Sequence, residues 1–151
     1  AGLVYHACKT RYGSVDFVTQ DLQANSTLFV ASETIIRMMI NLFENSYYSL
    51  EEKFKMLGES FRPQLRVKTH ETKDDYFIEV YDNGMGIEQE VLDRVWLPFF
   101  TTKDVGDGTG LGLAMVHDIV SSYNGEVSVE SLVGEFTCFK IRFPKVYQGV
   151  H

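Results

Sequence analysis

The order of helix-like and strand-like segments constrains the fold of this chain more than any other feature. Two stretches, 32–58 and 111–123, have apolar residues at helical spacing. Six shorter segments have the composition of strands: 15–22, 27–31, 65–70, 76–81, 126–130 and 136–143. Because helices and strands are mixed without strict βαβ alternation, the order predicts an α+β fold, a two-layer α/β sandwich whose mixed sheet is covered on one face by helices.

The ends and faces of the two helices are predicted from individual residues. Ser32 is the expected N-cap of the long helix, which is expected to run to about Gly58. On the last helix, Leu111, Met115 and Ile119 are expected to share one face. The expected core face of the long helix contains Ile36, Met39, Ile40, Phe43 and Tyr47.

Composition narrows the class of protein. The chain has 151 residues, 44 % hydrophobic and 23 % charged, as in an ordinary globular domain. Its net charge of −7 and the lack of a basic stripe argue against a nucleic-acid binder. No apolar run reaches the roughly 18 residues of a membrane span, so a cytoplasmic location is expected, with an anchor elsewhere in a longer protein left open. Cys8 and Cys138 lack metal-ligand spacing and are expected to be reduced and buried.

A carboxylate and two glycines follow the strand-like segment 76–81. Asp82 comes directly after it, and Gly84 and Gly86 follow two and four residues later. One interpretation is a tight turn, because Asp favours local hydrogen bonds and glycine accepts positive φ. The other is a ligand site, where a glycine lets a planar ligand approach the backbone and the carboxylate accepts hydrogen bonds from an amino group. The segment alone leaves both open.

Two asparagines share a face of the long helix. Asn41 and Asn45 are four residues apart, on a face that differs from the apolar one. Exposed carboxamides are usually just solvated. A carboxamide oxygen is also a good ligand for Mg²⁺, which prefers few protein ligands together with waters and phosphate oxygens.

Two further motifs follow, WLPFFTTK at 96–103 and GTGLGL at 108–113. A short helix that opens at Ile87 is expected to end before Pro98, because the residue before a proline is pushed out of the α region. The glycine motif runs into the last helix, and backbone N–H groups at a helix N-terminus form an anion site suited to phosphates. The purely structural alternatives are a helix stop followed by aromatic core residues for 96–103 and a flexible glycine loop for 108–113.

Together and in this order, the four motifs resemble the N, G1, F and G2 boxes of the ATP-binding catalytic domain of sensor histidine kinases. That domain belongs to the superfamily that also holds gyrase, Hsp90 and MutL. The resemblance covers about residues 15–145, and 101–103 is most similar to the nitrogen-regulator type. It implies a Bergerat-type nucleotide fold with an ATP lid at 99–109, and a kinase that uses ATP and Mg²⁺ in a two-component phosphorelay.

The resemblance also implies roles for individual residues. Asp82 would accept the adenine amino group, and Thr137 would lie near the adenine. Asn45 would bind Mg²⁺, with Asn41 and Lys103 at the phosphates, so these three are the candidate catalytic residues. The full set implied to contact the nucleotide or its metal is Asn45, Asp82, Gly84, Met85, Gly86, Ile87, Phe99, Thr102, Lys103, Gly108, Thr109, Gly110, Leu111, Gly112, Leu113 and Thr137.

Two positions depart from the pattern of the resembled family. Ser46 stands where alanine is usual, a small change that is expected to be harmless. Phe136 stands where a glycine commonly precedes the strand threonine. Its ring would either narrow the adenine end of the site or cap the core.

The phosphoacceptor of the resembled kinases is a histidine followed by an acidic residue on a separate helical hairpin. None of the four histidines is expected to serve: His6, His70, His117 and His151. The chain is therefore interpreted as a catalytic domain, 13–151, preceded by the remnant of a linking helix, 1–12, with the hairpin missing. The expected partners are ATP, that dimerisation hairpin and a downstream response regulator, with no nucleic acid, and a monomeric fragment is expected.

Two other functions stay open at this point. Superfamily members that hydrolyse ATP must activate water, and they resemble one another in carrying Glu four residues before the metal-binding Asn. That position is Asn41 here, and Glu44 is turned roughly 100° around the helix from Asn45, which favours a kinase. The third function is a non-catalytic interaction module, against which the four intact motifs argue.

Overall fold

The computed structural model describes residues 18–23, 28, 30–103 and 108–145. Its sheet has five strands: β1 (Val18–Leu22), β2 (Leu65–Glu71), β3 (Asp75–Asp82), β4 (Glu126–Leu132) and β5 (Phe136–Pro144). Their spatial order is β1-β2-β3-β5-β4. β1 pairs with β2 in parallel and the other three pairs are antiparallel, so the sheet is mixed, as predicted.

Two α-helices, α1 (Ser32–Leu57) and α2 (Gly112–Ser122), cover one face of this sheet. Two 3₁₀ helices accompany them, Gly58–Ser60 and Gln89–Arg94. α1 contacts α2 and β3, while α2 also contacts β4 and β5. The predicted two-layer α+β arrangement is therefore confirmed.

The core lies between the helices and alternate residues of the central strands. Because side chains alternate across a strand, one face of β3 and β5 points at the helices and the other face is open. The side chains buried on the helix-covered face include Tyr76, Val80, Phe139, Ile141 and Phe143. They meet the buried side chains of α1, which are Met38, Leu42, Phe43, Ser46, Tyr47 and Leu50.

The predicted core face of α1 was only partly correct. Phe43 and Tyr47 are buried, but Ile36 is 37 % exposed, and Met38 takes the core position instead. The N-terminal half of this helix is apolar on several faces, so spacing alone does not single out the buried one. On α2 the core positions are Ala114, Val116 and Val120, whereas Leu111 and Met115, predicted to share a face, are 39 % and 38 % exposed.

Several predicted boundaries also moved. α1 has Ala31 as its N-cap, with no side-chain cap bond, and Ser32 is its first helical residue. Of the strand predicted at 27–31, the described residues Leu28, Val30 and Ala31 are not in a strand. The helix predicted from Ile87 is the 3₁₀ turn Gln89–Arg94. The segment interpreted as a remnant helix, 1–12, lies outside the described residues.

Candidate functional site

A cavity of about 400 Å³ opens between α1, the loop after β3 and the start of α2. This volume is typical of a small-molecule site. The predicted site residues on its wall are Asn41, Asn45, Asp82, Met85, Gly86, Ile87, Thr102, Lys103, Gly108, Thr109, Gly110, Gly112, Leu113 and Thr137. Gly84, Phe99 and Leu111 are not on the wall. The fold therefore brings four separate sequence motifs to one cavity.

Asp82 lies on the wall of this cavity and is only 1 % exposed. The Gly84 N–H donates to its Oδ1 at 3.0 Å, and because an ionised carboxylate has about four lone-pair sites it can also accept hydrogen bonds from a ligand. Burial raises the pKa of Asp82 to about 6, while Ser46, the Gly84 N–H, Lys53 and Ser49 act in the opposite direction. Asp82 is therefore mainly a desolvated carboxylate at neutral pH, ready to accept hydrogen bonds.

Two hydroxyl groups lie beside Asp82. Thr137 on β5 is 3 % exposed and pairs in register with Asp82 on β3. Its Oγ1 lies 3.1 Å from Ser131 Oγ. The hydroxyl of Ser46, a residue that is 1 % exposed, acts on Asp82 and favours its ionised form. This end of the cavity thus joins one carboxylate to small hydroxyl groups, a combination suited to a flat, amino-bearing ligand.

The two glycines after Asp82 are each required by a different close packing contact. Gly86 has a φ of +71°, and a Cβ there would lie 2.3 Å from the carbonyl oxygen of Leu132. A Cβ on Gly84 would lie 2.2 Å from Ser49 Oγ on α1. Gly86 therefore lets the 82–87 loop pack on the β4–β5 turn, and Gly84 lets it pack on α1, rather than opening room at the cavity wall.

Asn41 and Asn45 face the cavity from α1, with their amide nitrogens already engaged. Asn41 Nδ2 donates to the Arg37 carbonyl at 3.0 Å, and Asn45 Nδ2 donates to the Asn41 carbonyl at 3.0 Å. Each side chain therefore offers its Oδ1 oxygen to a ligand or cation. A Cβ on Gly112 would lie 3.1 Å from Asn41 Oδ1, so this amide meets the first turn of α2.

The 108–113 segment forms the other end of the cavity. Gly110 has a φ of +68°, and its carbonyl accepts the N–H of Phe99 at 2.8 Å. Phe99 itself has a φ of +65° and is 76 % exposed. The 11-residue helix α2 begins at Gly112, so its free N–H groups and the positive end of its dipole lie at the wall.

Lys103 lies on the wall beside these glycines. Its Nζ is 4.5 Å from the centre of the Tyr48 ring on α1, within the range of a cation–π contact. The predicted lid, 99–109, includes 104–107, which lie outside the described residues. Its two described parts, 99–103 and 108–109, both border the cavity.

A protein-family model matches most of this chain. The model described as "Histidine kinase-, DNA gyrase B-, and HSP90-like ATPase" matches residues 31–147. The chain belongs to this ATPase family. The match spans α1, the cavity and all of the sheet except β1.

The similar members of this ATPase family are sensor kinases. Sensor histidine kinase ZraS of Salmonella typhimurium (strain LT2) is 32 % identical over 145 residues, 88 % of this chain and 29 % of that protein. Signal transduction histidine-protein kinase AtoS of Escherichia coli (strain K12) is 30 % identical over 136 residues, 89 % of this chain and 21 % of that protein. The chain thus spans less than a third of these two relatives.

Solved structures agree on the fold of this ATPase domain. The nucleotide-free catalytic domain of histidine kinase ThkA has a TM-score of 0.74 at 23 % identity, covering 95 % of this chain and 89 % of that one. Full-length ShkA in complex with AMPPNP has a TM-score of 0.77 at 18 % identity, covering 95 % and 28 %. The predicted class, the ATP-binding catalytic domain of a sensor histidine kinase, is confirmed, while the nitrogen-regulator subtype stays a prediction.

Sequence reasoning missed several wall residues of this ATPase domain: Glu44, Tyr48, Ser49, Glu52, Val95, Phe100, Thr101 and Phe139. Three of them were within reach, because Tyr48, Ser49 and Glu52 continue the helical face of Asn41 and Asn45 by steps of three or four. Val95 and Phe139 carry no such signal, since apolar residues are expected in any core. Glu44 lies on the wall although it is turned away from Asn45.

The position of Phe136 answers the question that its bulk raises. Its ring stacks on Tyr81 with centroids 5.8 Å apart, on the open face of the sheet. Thr137 points to the opposite, helix-covered face, because neighbouring side chains alternate. Phe136 therefore neither narrows the cavity nor caps the core between sheet and helices.

Within the described ranges, none of the helices has the length and apolar character of a membrane span.

Proposed function

We propose that this domain transfers the γ-phosphate of ATP to a histidine on a separate helical hairpin. A downstream response regulator would then receive the phosphoryl group. The observation that carries this proposal is the single cavity that joins a buried carboxylate, two amide oxygens and a glycine-rich helix N-terminus. The identity to sensor kinases over most of the chain supports it.

Adenine recognition rests on Asp82 in this proposal. Its carboxylate would accept a hydrogen bond from the exocyclic amino group, and Thr137 lies on the wall of the same cavity. A ligand that leaves this buried carboxylate unpaired loses about 1–3 kcal/mol of binding free energy. Bases without an amino donor are therefore disfavoured. Met85 and Ile87 supply the apolar wall against the ring.

The residues present fit a magnesium ion held mainly by nucleotide phosphates. Asn45 would hold it through Oδ1, with Asn41 one turn away facing the phosphates. Among the described residues no three His, Cys, Asp or Glu side chains form a metal cluster, which suits a cation that takes few protein ligands. When bound, Mg²⁺ would neutralise charge on the transferred phosphoryl group.

Phosphate binding would be the task of the 108–113 segment. Gly108, Gly110 and Gly112 leave backbone N–H groups accessible at the start of α2, where anions are favoured. Lys103 borders the same space and would add a positive charge once it leaves the Tyr48 ring. Phe99 and Leu111, which are not on the wall, would act at the lid surface instead of touching the nucleotide.

The acceptor histidine would come from outside the cavity. His70 stacks on Phe77 at 4.6 Å on β2, and His117 lies near Trp96 at 6.1 Å on α2. Neither is on the cavity wall. This supports transfer to a separate hairpin, which would also provide the dimer contact, so we expect the present chain to be monomeric at micromolar concentration by light scattering.

ATP hydrolysis is the second candidate function. The observation that favours it is Glu44, a carboxylate on the cavity wall next to Asn45. A Glu44→Gln variant separates the two functions. Loss of phosphate release to water, with intact transfer to a histidine hairpin, would identify Glu44 as a hydrolytic base.

The test of the proposal is a calorimetric titration with ATP, with and without Mg²⁺, on the wild type and Asp82→Asn. We expect magnesium-dependent binding that the substitution weakens by about 10-fold or more, which corresponds to 1–3 kcal/mol. Incubation with γ-labelled ATP and a purified histidine hairpin should then give acid-labile, base-stable label. A wild type that binds no ATP would favour a non-catalytic interaction module.

A further inference from the structure

The 82–87 loop is anchored from one side by α1 and from the other by the β4–β5 turn. Ser49 Oγ on α1 accepts the Met85 N–H at 2.8 Å, and Ser131 Oγ on β4 accepts the Ile87 N–H at 2.8 Å. The Gly134 N–H in the turn donates to the Met85 carbonyl at 2.7 Å. We call the part of the cavity lined by Asp82, Met85, Ile87 and Thr137 the base end. The loop that carries its apolar wall is thus held between two elements that are far apart in sequence.

One side chain bridges all three parts. Lys53, one helical turn after Ser49, donates from Nζ to the Asn83 carbonyl at 2.7 Å and to the Gly134 carbonyl at 2.8 Å. The same ammonium lies 4.8 Å from the centre of the Phe61 ring. These partners are neutral, unlike those of Lys55, whose Nζ lies 2.8 Å from Glu52 Oε1 on the exposed surface of the helix.

We propose that Lys53 is a positioning residue for the base end of the site. By joining the carbonyls of Asn83 and Gly134 to α1, it fixes the 82–87 loop on the β4–β5 turn and so sets the distance between Asp82 and the apolar wall formed by Met85 and Ile87. This inference rests on the proposed nucleotide binding. It concerns a residue that is not on the cavity wall.

The bonding geometry explains why an ammonium group is favoured here. Two carbonyl oxygens within 2.8 Å of one nitrogen need a group with at least two N–H donors, and a charged donor makes each hydrogen bond about twice as strong as a neutral one. A methionine of similar length fills the space but leaves both carbonyls without this donor. An arginine keeps the charge and at least two donors, so it should restore part of the effect.

A second consequence separates positioning from mere stabilisation. Among the described residues, the charged and titratable groups that act on Asp82 are Lys53 from α1 and the Cys138 thiol from β5, and Glu52 of α1 lies on the same cavity wall. The positive charge of Lys53 favours the ionised carboxylate. Removing it should move the pH midpoint of adenosine binding upward, which loss of packing alone would not do.

The experiment compares Lys53→Met, Lys53→Arg and the matched surface control Lys55→Met in the whole domain. For each variant, adenosine and ATP affinities are measured between pH 5.5 and 8, with circular dichroism as the check of folding. We expect Lys53→Met to weaken both ligands at least 10-fold at pH 7 and to raise the pH midpoint of adenosine binding. Lys53→Arg should recover at least a third of the change in log Kd that Lys53→Met causes. Lys55→Met should bind both ligands with wild-type affinity.

The outcomes distinguish this inference from the proposed function. A folded Lys53→Met that keeps wild-type affinity and an unchanged pH midpoint would overturn the positioning role while nucleotide binding stands. A wild type without nucleotide binding would overturn both. Should Lys53→Met fail to fold, Lys53→Gln, which keeps donors but loses the charge, replaces it. An unshifted midpoint in that variant would contradict the proposal.

Discussion

The two ends of the cavity differ in how they are held. At the base end, the N–H groups of Met85 and Ile87 donate to the side chains of Ser49 on α1 and Ser131 on β4, which are 36 and 44 residues away. At the phosphate end, formed by 99–103 and 108–113, the backbone N–H groups donate to side chains only two positions away: Lys103 N–H to Thr101 Oγ1 at 3.1 Å, and Leu111 N–H to Thr109 Oγ1 at 3.3 Å. Asn41 Nδ2 also reaches Met115 Sδ on α2, at the longer distance of 3.5 Å.

Exposure follows the same division. Asp82 is 1 % exposed, whereas Phe99, beside the glycine motif, is 76 % exposed. A network of long-range bonds fixes the base end before any ligand arrives, because each bond joins segments that are separately anchored. Local bonds leave the phosphate end to be completed by the ligand's own charges. If the domain has the proposed function, we infer from this difference that the base end would select the nucleotide and the phosphate end would close on it.

The largest expected effect comes from a Cβ at the base end. Gly86→Ala combines a positive φ of +71° with a Cβ 2.3 Å from a backbone carbonyl. Strain and overpacking together should lower the free energy of unfolding by about 3 kcal/mol. Urea denaturation measures this change, and ATP binding should fall with it.

The matched glycine at the other end should tolerate the same change. A Cβ on Gly108 would lie 2.8 Å from Thr101 Oγ1 and 3.0 Å from Lys103 Cδ, both parts of movable side chains. Gly108→Ala should therefore change the free energy of unfolding by only about 0.5 kcal/mol. Equal destabilisation by the two substitutions would contradict the comparison.

The next effect is a gain in stability from removing the site's carboxylate. Burial raises the pKa of Asp82 from 3.8 to about 6, so the folded state releases this proton later than the unfolded state. Asp82 thus costs stability progressively as pH rises from about 4 to 6, by about 3 kcal/mol above that range. Asp82→Asn should be more stable than the wild type at pH 8 and close to it at pH 4.

Thermal or urea denaturation at several pH values measures this difference. The wild type should lose stability relative to Asp82→Asn between pH 4 and 6 and keep a constant difference above pH 7. A flat difference across that range would mean that Asp82 is not desolvated in the folded domain.

A smaller effect concerns the pH dependence of base recognition. Adenosine lacks phosphates that titrate, so its affinity reports on the base end alone. Because the ionised Asp82 is the better acceptor, adenosine affinity should fall by roughly 10-fold between pH 7 and pH 5, the change expected about one unit below a pKa near 6. Asp82→Asn should bind weakly at both values, and a pH-independent wild type would contradict this reading.

The smallest expected effect lies at the phosphate end. Lys103→Met should lower the affinity for ATP by about 3-fold, since one solvent-accessible ion contact contributes up to about 1 kcal/mol. Adenosine affinity should not change, because Lys103 lies near Tyr48 and the glycine motif. An equal loss for both ligands would show that the two ends are not separable.

The sequence predicted the parts of the site that depend on residue type and order. Asp82 at a strand end, the paired Asn41 and Asn45 on one helix face, and glycines at a helix start each left a structural alternative open, and only their order and the family that they resemble assigned them to a base or phosphate site. The mixed sheet also followed from the order of segments. These features need no knowledge of which distant residues meet.

What depends on distant contacts was not predictable. Lys53 has acceptors 30 and 81 residues away, both of them backbone carbonyls that no sequence pattern marks. Gly84 was expected at the ligand, but its contact with Ser49 only becomes visible when α1 is packed on the loop. The core face of α1 was misplaced because apolar residues surround its first half.

Amide hydrogen exchange, measured with and without ATP and Mg²⁺, tests the difference between the two ends most directly. The 82–87 loop should exchange slowly in both states, while 108–113 should exchange fast without nucleotide and become protected when it is bound. Protection of 82–87 that appears only with ATP would contradict a base end that is built before the ligand arrives.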